Sequence, residues 1–182
     1  MPTAVDTTFD VAFWFADTAL NHNEYLQPAK LQRLLFLAQA YYAVVSKGKK
    51  LMPAFFIADE AGPIEPTIYK AFMKGRPLVD PEYFFSTEVE DFLEGVWRKF
   101  GHYSADHLTR LTKATPAFRA AYARARRAEI SFESMRKSFE RPVGAPVAEQ
   151  VVKPKVLRTQ EGKAVVVKAW TPKAVSPGRK SS

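Results

Sequence analysis

Between Pro28 and Val45 the chain reads PAKLQRLLFLAQAYYAVV, and this run limits the possible folds more than any other. Leu31, Leu34, Leu35, Ala38, Tyr41, Tyr42 and Val45 recur three and four residues apart, and Leu37, Ala40 and Val44 add a second stripe. A helix that is apolar on nearly every side must be enclosed, so the run predicts a central helix inside a shell of other elements. Pro28 suits its first turn, where a missing N–H costs nothing, and Lys47-Gly48 ends it. The most apolar part, Leu34 to Val45, is interrupted by Gln39 and falls short of the roughly 20 residues a membrane span needs.

The shell can be read from local signals. Thr7 and Asp10 form a capping-box pattern ahead of Phe9, Ala12, Phe13, Ala16 and Leu20, and Asn21-His22-Asn23 stops that helix. Leu51–Ala58, aromatic-rich and framed by Gly48 and Gly62-Pro63, reads as an extended segment or small hairpin arm, with Gly62-Pro63 as a turn. Pro66 opens a short helix through Tyr69 and Phe72. Thr87 and Glu90 suggest a second capping box before Val89, Phe92, Leu93, Val96, Trp97 and Phe100. Ser104, Thr115-Pro116 and Ser131 each start a further short helix, the last carrying Phe132, Met135 and Phe139. After Arg141 the periodicity is lost among Pro142, Pro146, Pro154, Pro172 and Pro177. The expected fold class is mainly α: a compact multi-helix domain over 1–140 with a small extended or β element, followed by a basic, Pro-rich, disordered C-terminal tail over 141–182.

The charge follows the same division. Of the net charge of +8, almost all lies in the tail: residues 1–140 hold 18 Lys and Arg against 17 Asp and Glu, and residues 141–182 hold 9 against 2. A nucleic-acid reader would be expected to carry its basic face on the folded module, so nucleic acid is not the expected partner. An autorepressor using the tail as an electrostatic arm is the alternative. The chain has no cysteine, which excludes disulfides and thiolate metal sites. The acidic, signal-free N-terminus points to a cytoplasmic protein without a membrane partner.

Catalytic patterns are missing: there is no phosphate-binding glycine loop, no HExxH and no nucleophile elbow. His22, His102 and His107 are scattered, and His22 reads as part of a helix stop. Asp59, Glu60 and Glu65 flank the Gly62-Pro63 turn and could suggest an acid–base pair or hard-metal site. The plainer reading is a solvated acidic loop. Tyr41-Tyr42, Phe55-Phe56 and Phe84-Phe85 fit core filling better than base stacking, and Arg124, Arg126 and Arg127 fit a solvated helix side. No catalytic residue, cofactor or metal is expected, and the chain reads as a binding protein.

The run from Leu26 to Tyr42, LQPAKLQRLLFLAQAYY, resembles the Lys-Leu-Gln helix of the Panacea-domain antitoxins, the group that includes SocA-like proteins. The order of the remaining features agrees over roughly residues 8–140: opening helix, central helix, small extended piece, Gly-Pro turn, tyrosine-bearing helix. The motif positions are Lys30, Leu31, Gln32, Leu34, Leu35, Gln39, Gly62, Pro63 and Tyr69. Lys113 and Phe118 depart from the family, which often has a histidine and a tryptophan there. The resemblance implies an antitoxin that binds a cognate protein toxin through the helical domain. For SocA-like members it further implies a proteolytic adaptor that hands the toxin to ClpXP. Within the tail, Val165, Val166, Val167, Lys168 and Trp170 resemble the short apolar-then-basic peptides with which other adaptors dock on the ClpX N-terminal domain, a candidate second partner. A flexible spacer of about 25 residues from Arg141 would give such a peptide a reach of about 25–30 Å. A plain masking antitoxin without an adaptor role is the remaining alternative.

Overall fold

The computed structural model describes residues 2–79 and 81–152, together with the backbone of 156–158 and 164–166. In chain order the elements are α1 (Thr8–Asn21), α2 (Pro28–Val45), β1 (Phe56–Asp59), β2 (Gly62–Ile64), α3 (Pro66–Phe72), α4 (Thr87–Phe100), α5 (Ala105–Lys113), α6 (Pro116–Arg124), β3 (Glu129–Ile130), α7 (Phe132–Glu140), α8 (Ala148–Val151), β4 (Val156–Arg158) and β5 (Ala164–Val166). The mainly helical class expected from the sequence is the observed one. Among the described residues, no helix is long and apolar enough to cross a membrane.

α2 is the axis. Every residue from Lys30 to Ala43 is buried, so the helix is enclosed on all sides as its two apolar stripes required. α1, α3, α4, α5, α7 and β2 all pack on it. Ring pairs mark the joints: Tyr42 meets Phe92 of α4 at 5.1 Å, Tyr41 meets Phe139 of α7 at 4.9 Å, and Phe36 meets Phe56 of β1 edge-on at 5.4 Å. Such pairs add about 0.5–1.5 kcal/mol beyond the area they bury.

Local capping signals survive with one shift. The Thr7–Asp10 box is present, each side chain accepting the other's backbone N–H at 3.2 Å. On α4 the cap is Ser86, whose hydroxyl accepts the Val89 N–H at 3.3 Å, so the expected Thr87–Glu90 box does not form. Two hydroxyl residues in succession offer the same capping chemistry, and the register of Phe92, Leu93 and Val96 against α2 selects the first.

The extended element is a three-stranded antiparallel sheet of order β2-β1-β3. Gly62 and Pro63, expected as a turn, lie inside β2, paired with Asp59 and Ala58. Proline is tolerated there because β2 is an edge strand and no neighbour needs its N–H. The turn falls two residues earlier, at Glu60-Ala61, where the Asp59 carboxylate accepts the Ala61 N–H at 3.1 Å. β3 joins from some seventy positions downstream, with Ile130 opposite Phe56.

The helical domain does not end at Glu140. Val151 of α8 is fully buried, and its carbonyl lies where a Cβ on Gly95 of α4 would sit, at 2.4 Å. Arg98 donates to that carbonyl at 3.1 Å, and the Tyr41 hydroxyl donates to Pro146 O at 2.6 Å. The expected boundary at 140 is therefore too early, and the folded body runs through Val152. Farther on, β4 and β5 pair antiparallel, Leu157 opposite Val165. Removing 153–182 should leave Tm within about 1 °C, because the buried residues through Val151 are retained. Removing 141–182 strips Val151 from its site, a loss of about 1.5–3 kcal/mol, and should lower Tm by about 4–8 °C in a thermal melt.

Candidate functional site

Four polar side chains interrupt the buried length of α2, and each is spent on the backbone of a different element. Lys30 donates to Gly101 O at 2.6 Å, pairs with Glu24, and lies 5.7 Å from the centre of the Trp97 ring. Gln39 accepts the N–H groups of Leu51 and Met52, each at 3.1 Å, and donates to Met52 O at 3.0 Å. Gln32 accepts the Glu65 N–H at 2.7 Å. Arg33 donates to Pro63 O at 2.7 Å, to Ala61 O, and to the Thr109 hydroxyl at 3.0 Å. Unpaired buried backbone groups cost about 1–3 kcal/mol each, so these side chains fix the arm and β2 onto α2. The motif residues Leu31, Leu34 and Leu35 are buried core between them.

The Gly-Pro part of the motif belongs to the same assembly. Gly62 has φ +122, and a Cβ there would stand 2.7 Å from the Arg33 guanidinium carbon. Glycine is needed both for the backbone angle and for the room. Pro63 supplies the carbonyl that Arg33 binds. Burial lowers the Arg33 pKa to about 10, with Asp59 opposing that shift.

The acidic trio does not form a centre. Glu65 is 3% exposed and is the N-cap of α3, accepting the Ile68 N–H at 2.7 Å, which corrects its reading as part of a solvated loop. Asp59 is committed to the turn and to Arg127 at 3.5 Å. Glu60 is exposed, and its carbonyl accepts from Lys113 at 2.8 Å. The histidines make local contacts: His22 Nδ1 lies 2.8 Å from Thr18 O, while the His102 and His107 rings each pack on Tyr103, at 4.1 and 4.2 Å. Among the described residues, no group of three or more His, Asp and Glu could hold a metal. Tyr41, Tyr42 and Phe56 are core, whereas Phe55 and Phe84 are exposed, and Arg124, Arg126 and Arg127 lie on the surface. Val165 and Val166 fall in the backbone of β5, and Val167, Lys168 and Trp170 lie outside the described residues.

Two hollows flank the first turn of α2 and share Pro28. One, of about 120 Å³, lies between α1, α2 and the end of α3, lined by Leu20, Tyr25, Leu31 and Phe72. The other, of about 270 Å³, lies between α2, β2 and α3, lined by Gln32, Arg33, Ile64, Tyr69 and Met73. Large apolar side chains stand exposed around them: Leu20 at 55%, Tyr25 at 64%, Met73 at 55%. An apolar surface with two adjoining hollows is characteristic of a protein-docking face. Sequence reasoning reached Tyr69 and missed Tyr25, Arg33 and Met73. A charged residue amid two apolar stripes was the available signal for Arg33.

Residues 31–117 match the family model described as "Antitoxin SocA-like, Panacea domain". No curated protein matches the chain, and no solved structure does. That stretch, which includes the Gln32, Arg33, Gly62, Pro63 and Tyr69 assembly, is similar to the SocA-like Panacea-domain antitoxins.

Two outcomes follow. Gly62→Ala should cost about 2–4 kcal/mol, combining left-handed backbone strain with overpacking against Arg33. Gly48→Ala, at φ +98 with nothing within 4 Å of the new Cβ, should bear only the strain, so a denaturant melt should rank Gly62→Ala clearly worse. For Glu65, burial raises the pKa above its usual 4.5. The folded state then holds that proton to higher pH than the unfolded one. The associated stability is present below the ordinary value and lost as pH rises through the raised one. Glu65→Gln should remove this decline, so the stability of wild type relative to the variant should fall as pH is raised from 4.5 towards neutrality.

Proposed function

We propose that this chain is an antitoxin that binds a cognate protein toxin through the face at the N-terminal end of α2, and that it delivers the toxin to ClpXP. The observation that carries the reading is the apolar face itself, with two hollows meeting at Pro28 inside a family-matched stretch. Exposed Tyr25 and Met73 are the aromatic and flexible thioether side chains that dominate protein-docking surfaces. The family supplies the expected kind of partner.

The adaptor part rests on the C-terminal segment, which continues beyond Val151, where Arg98 of α4 anchors the backbone. A toxin seated on the domain and a protease contact on the tethered segment raise each partner's effective concentration for the other. The docking peptide proposed in the tail is Val165, Val166, Val167, Lys168 and Trp170, and a two-stranded ladder such as β4–β5 is only marginally stable by itself, so it can open.

Co-expression with the neighbouring open reading frame tests the first part: the toxin should be neutralised and should co-purify. Tyr25→Asp and Met73→Asp should each weaken toxin binding by about tenfold or more in calorimetry, with Tm unchanged. Equal affinity for both variants means that the toxin sits elsewhere. Removing 153–182 should keep the affinity and lengthen the toxin's half-life in cells; an unaltered half-life leaves a masking antitoxin.

A further inference from the structure

The larger hollow has a polar floor. Gln32 is 1% exposed; its carboxamide oxygen is used on Glu65, and its nitrogen is buried with no hydrogen-bond partner. Beside it, Arg33 is 2% exposed and uses only part of its five-donor fork. Among the described residues, no carboxylate lies within ion-pair distance of that guanidinium. Asp59, the nearest acid to influence it, is engaged by Arg127 and the Ala61 N–H. A buried cation without a counter-ion and a buried N–H without an acceptor are both costly alone, and one bound anion would relieve both. The walls are apolar at Ile64 and Met73, and the Tyr69 ring, 38% exposed, stands at the rim. At about 270 Å³ the space is below the roughly 300–1,000 Å³ of small-molecule pockets. It suits one side chain.

We propose that the hollow between α2, β2 and α3 is a socket for an acidic side chain of the protein partner. Its carboxylate is received by the Gln32 carboxamide and the Arg33 guanidinium, and its methylenes by Ile64 and Met73. This rests on the docking reading given above and names the chemistry of the anchor. An aspartate or glutamate there forms charge-assisted hydrogen bonds in a water-poor site, while apolar neighbours on the same partner meet Tyr25 and Leu20 in the adjoining hollow.

The full chain, labelled with nitrogen-15, is titrated with sodium propionate, propionamide and sodium chloride while the Gln32 side-chain NH₂ and Arg33 Nε–H resonances are followed. Propionate alone should shift both signals saturably. The capped peptide acetyl-Leu-Glu-Leu-amide should bind about tenfold tighter, because it adds apolar contacts. Gln32→Glu keeps the acceptor for Glu65 and replaces the donor with a negative oxygen, so it should abolish the response. Tyr69→Phe, at the exposed rim, should weaken it severalfold with backbone signals unchanged. No shift with propionate, or an equal shift with chloride or propionamide, overturns the socket. A peptide that binds no better than propionate overturns the assignment to a protein side chain. Toxin neutralisation is measured separately. Saturable propionate binding without neutralisation would defeat the antitoxin reading and leave the socket standing; neutralisation without propionate binding does the reverse.

Discussion

A guanidinium in the middle of an enclosed helix is an expensive object, and much of this domain is arranged around Arg33. Its partners are carbonyls of the β1–β2 turn and of β2, together with a hydroxyl of α5. One side chain therefore joins three elements that lie far apart in the chain. Gly62 has no side chain because the guanidinium occupies that place. Removing a charge from water costs several kcal/mol unless it is well bonded, so the sheet edge must come to the helix in one register. The same bonds leave a cationic, partly unsatisfied floor beneath the larger of the two hollows described on that face.

Gln39 and Lys30 repeat the device at other points along α2. Gln39 holds both N–H groups at Leu51 and Met52, where the arm passes the helix and its carbonyls at Lys50 and Leu51 accept from Ala4 and Val5. Lys30 ties the end of α4 to the first turn of α2. The Lys-Leu-Gln pattern is thus an alternation of leucines that fill the core and polar groups that clamp irregular backbone. At the rim, Tyr25, Tyr69 and Met73 stay exposed. The strap through Pro146 and Val151 fixes where the C-terminal segment leaves, by binding Tyr41 and the flat patch at Gly95.

What could be read locally was read well. The enclosed helix, the Thr7–Asp10 box and the starts at Ser104, Thr115 and Ser131 depend on residues within one or two turns, and all are present. What depended on remote partners was not. Gly62-Pro63 has turn composition, yet pairing with Ala58 and Asp59 draws it into a strand. β3 is two residues long and has no pattern of its own; Phe56 makes it a strand. Val151 carries no periodic signal among its prolines and is placed by a glycine on α4. Glu65 looked like part of an acidic loop because its burial is set by α2 and its neighbours on α3.

By itself, then, the sequence determined a helical domain built round Pro28–Val45, the side of each helix that faces it, and the separation of a near-neutral body from a basic C-terminal segment. Those properties follow from periodicity, capping and charge count, all of which act over short stretches. Only the tertiary structure decided which polar residues of α2 clamp backbone and which groups line a hollow. It also decided that the folded body reaches Val152. These outcomes depend on burial, and burial is a property of neighbours that the chain brings together from far apart.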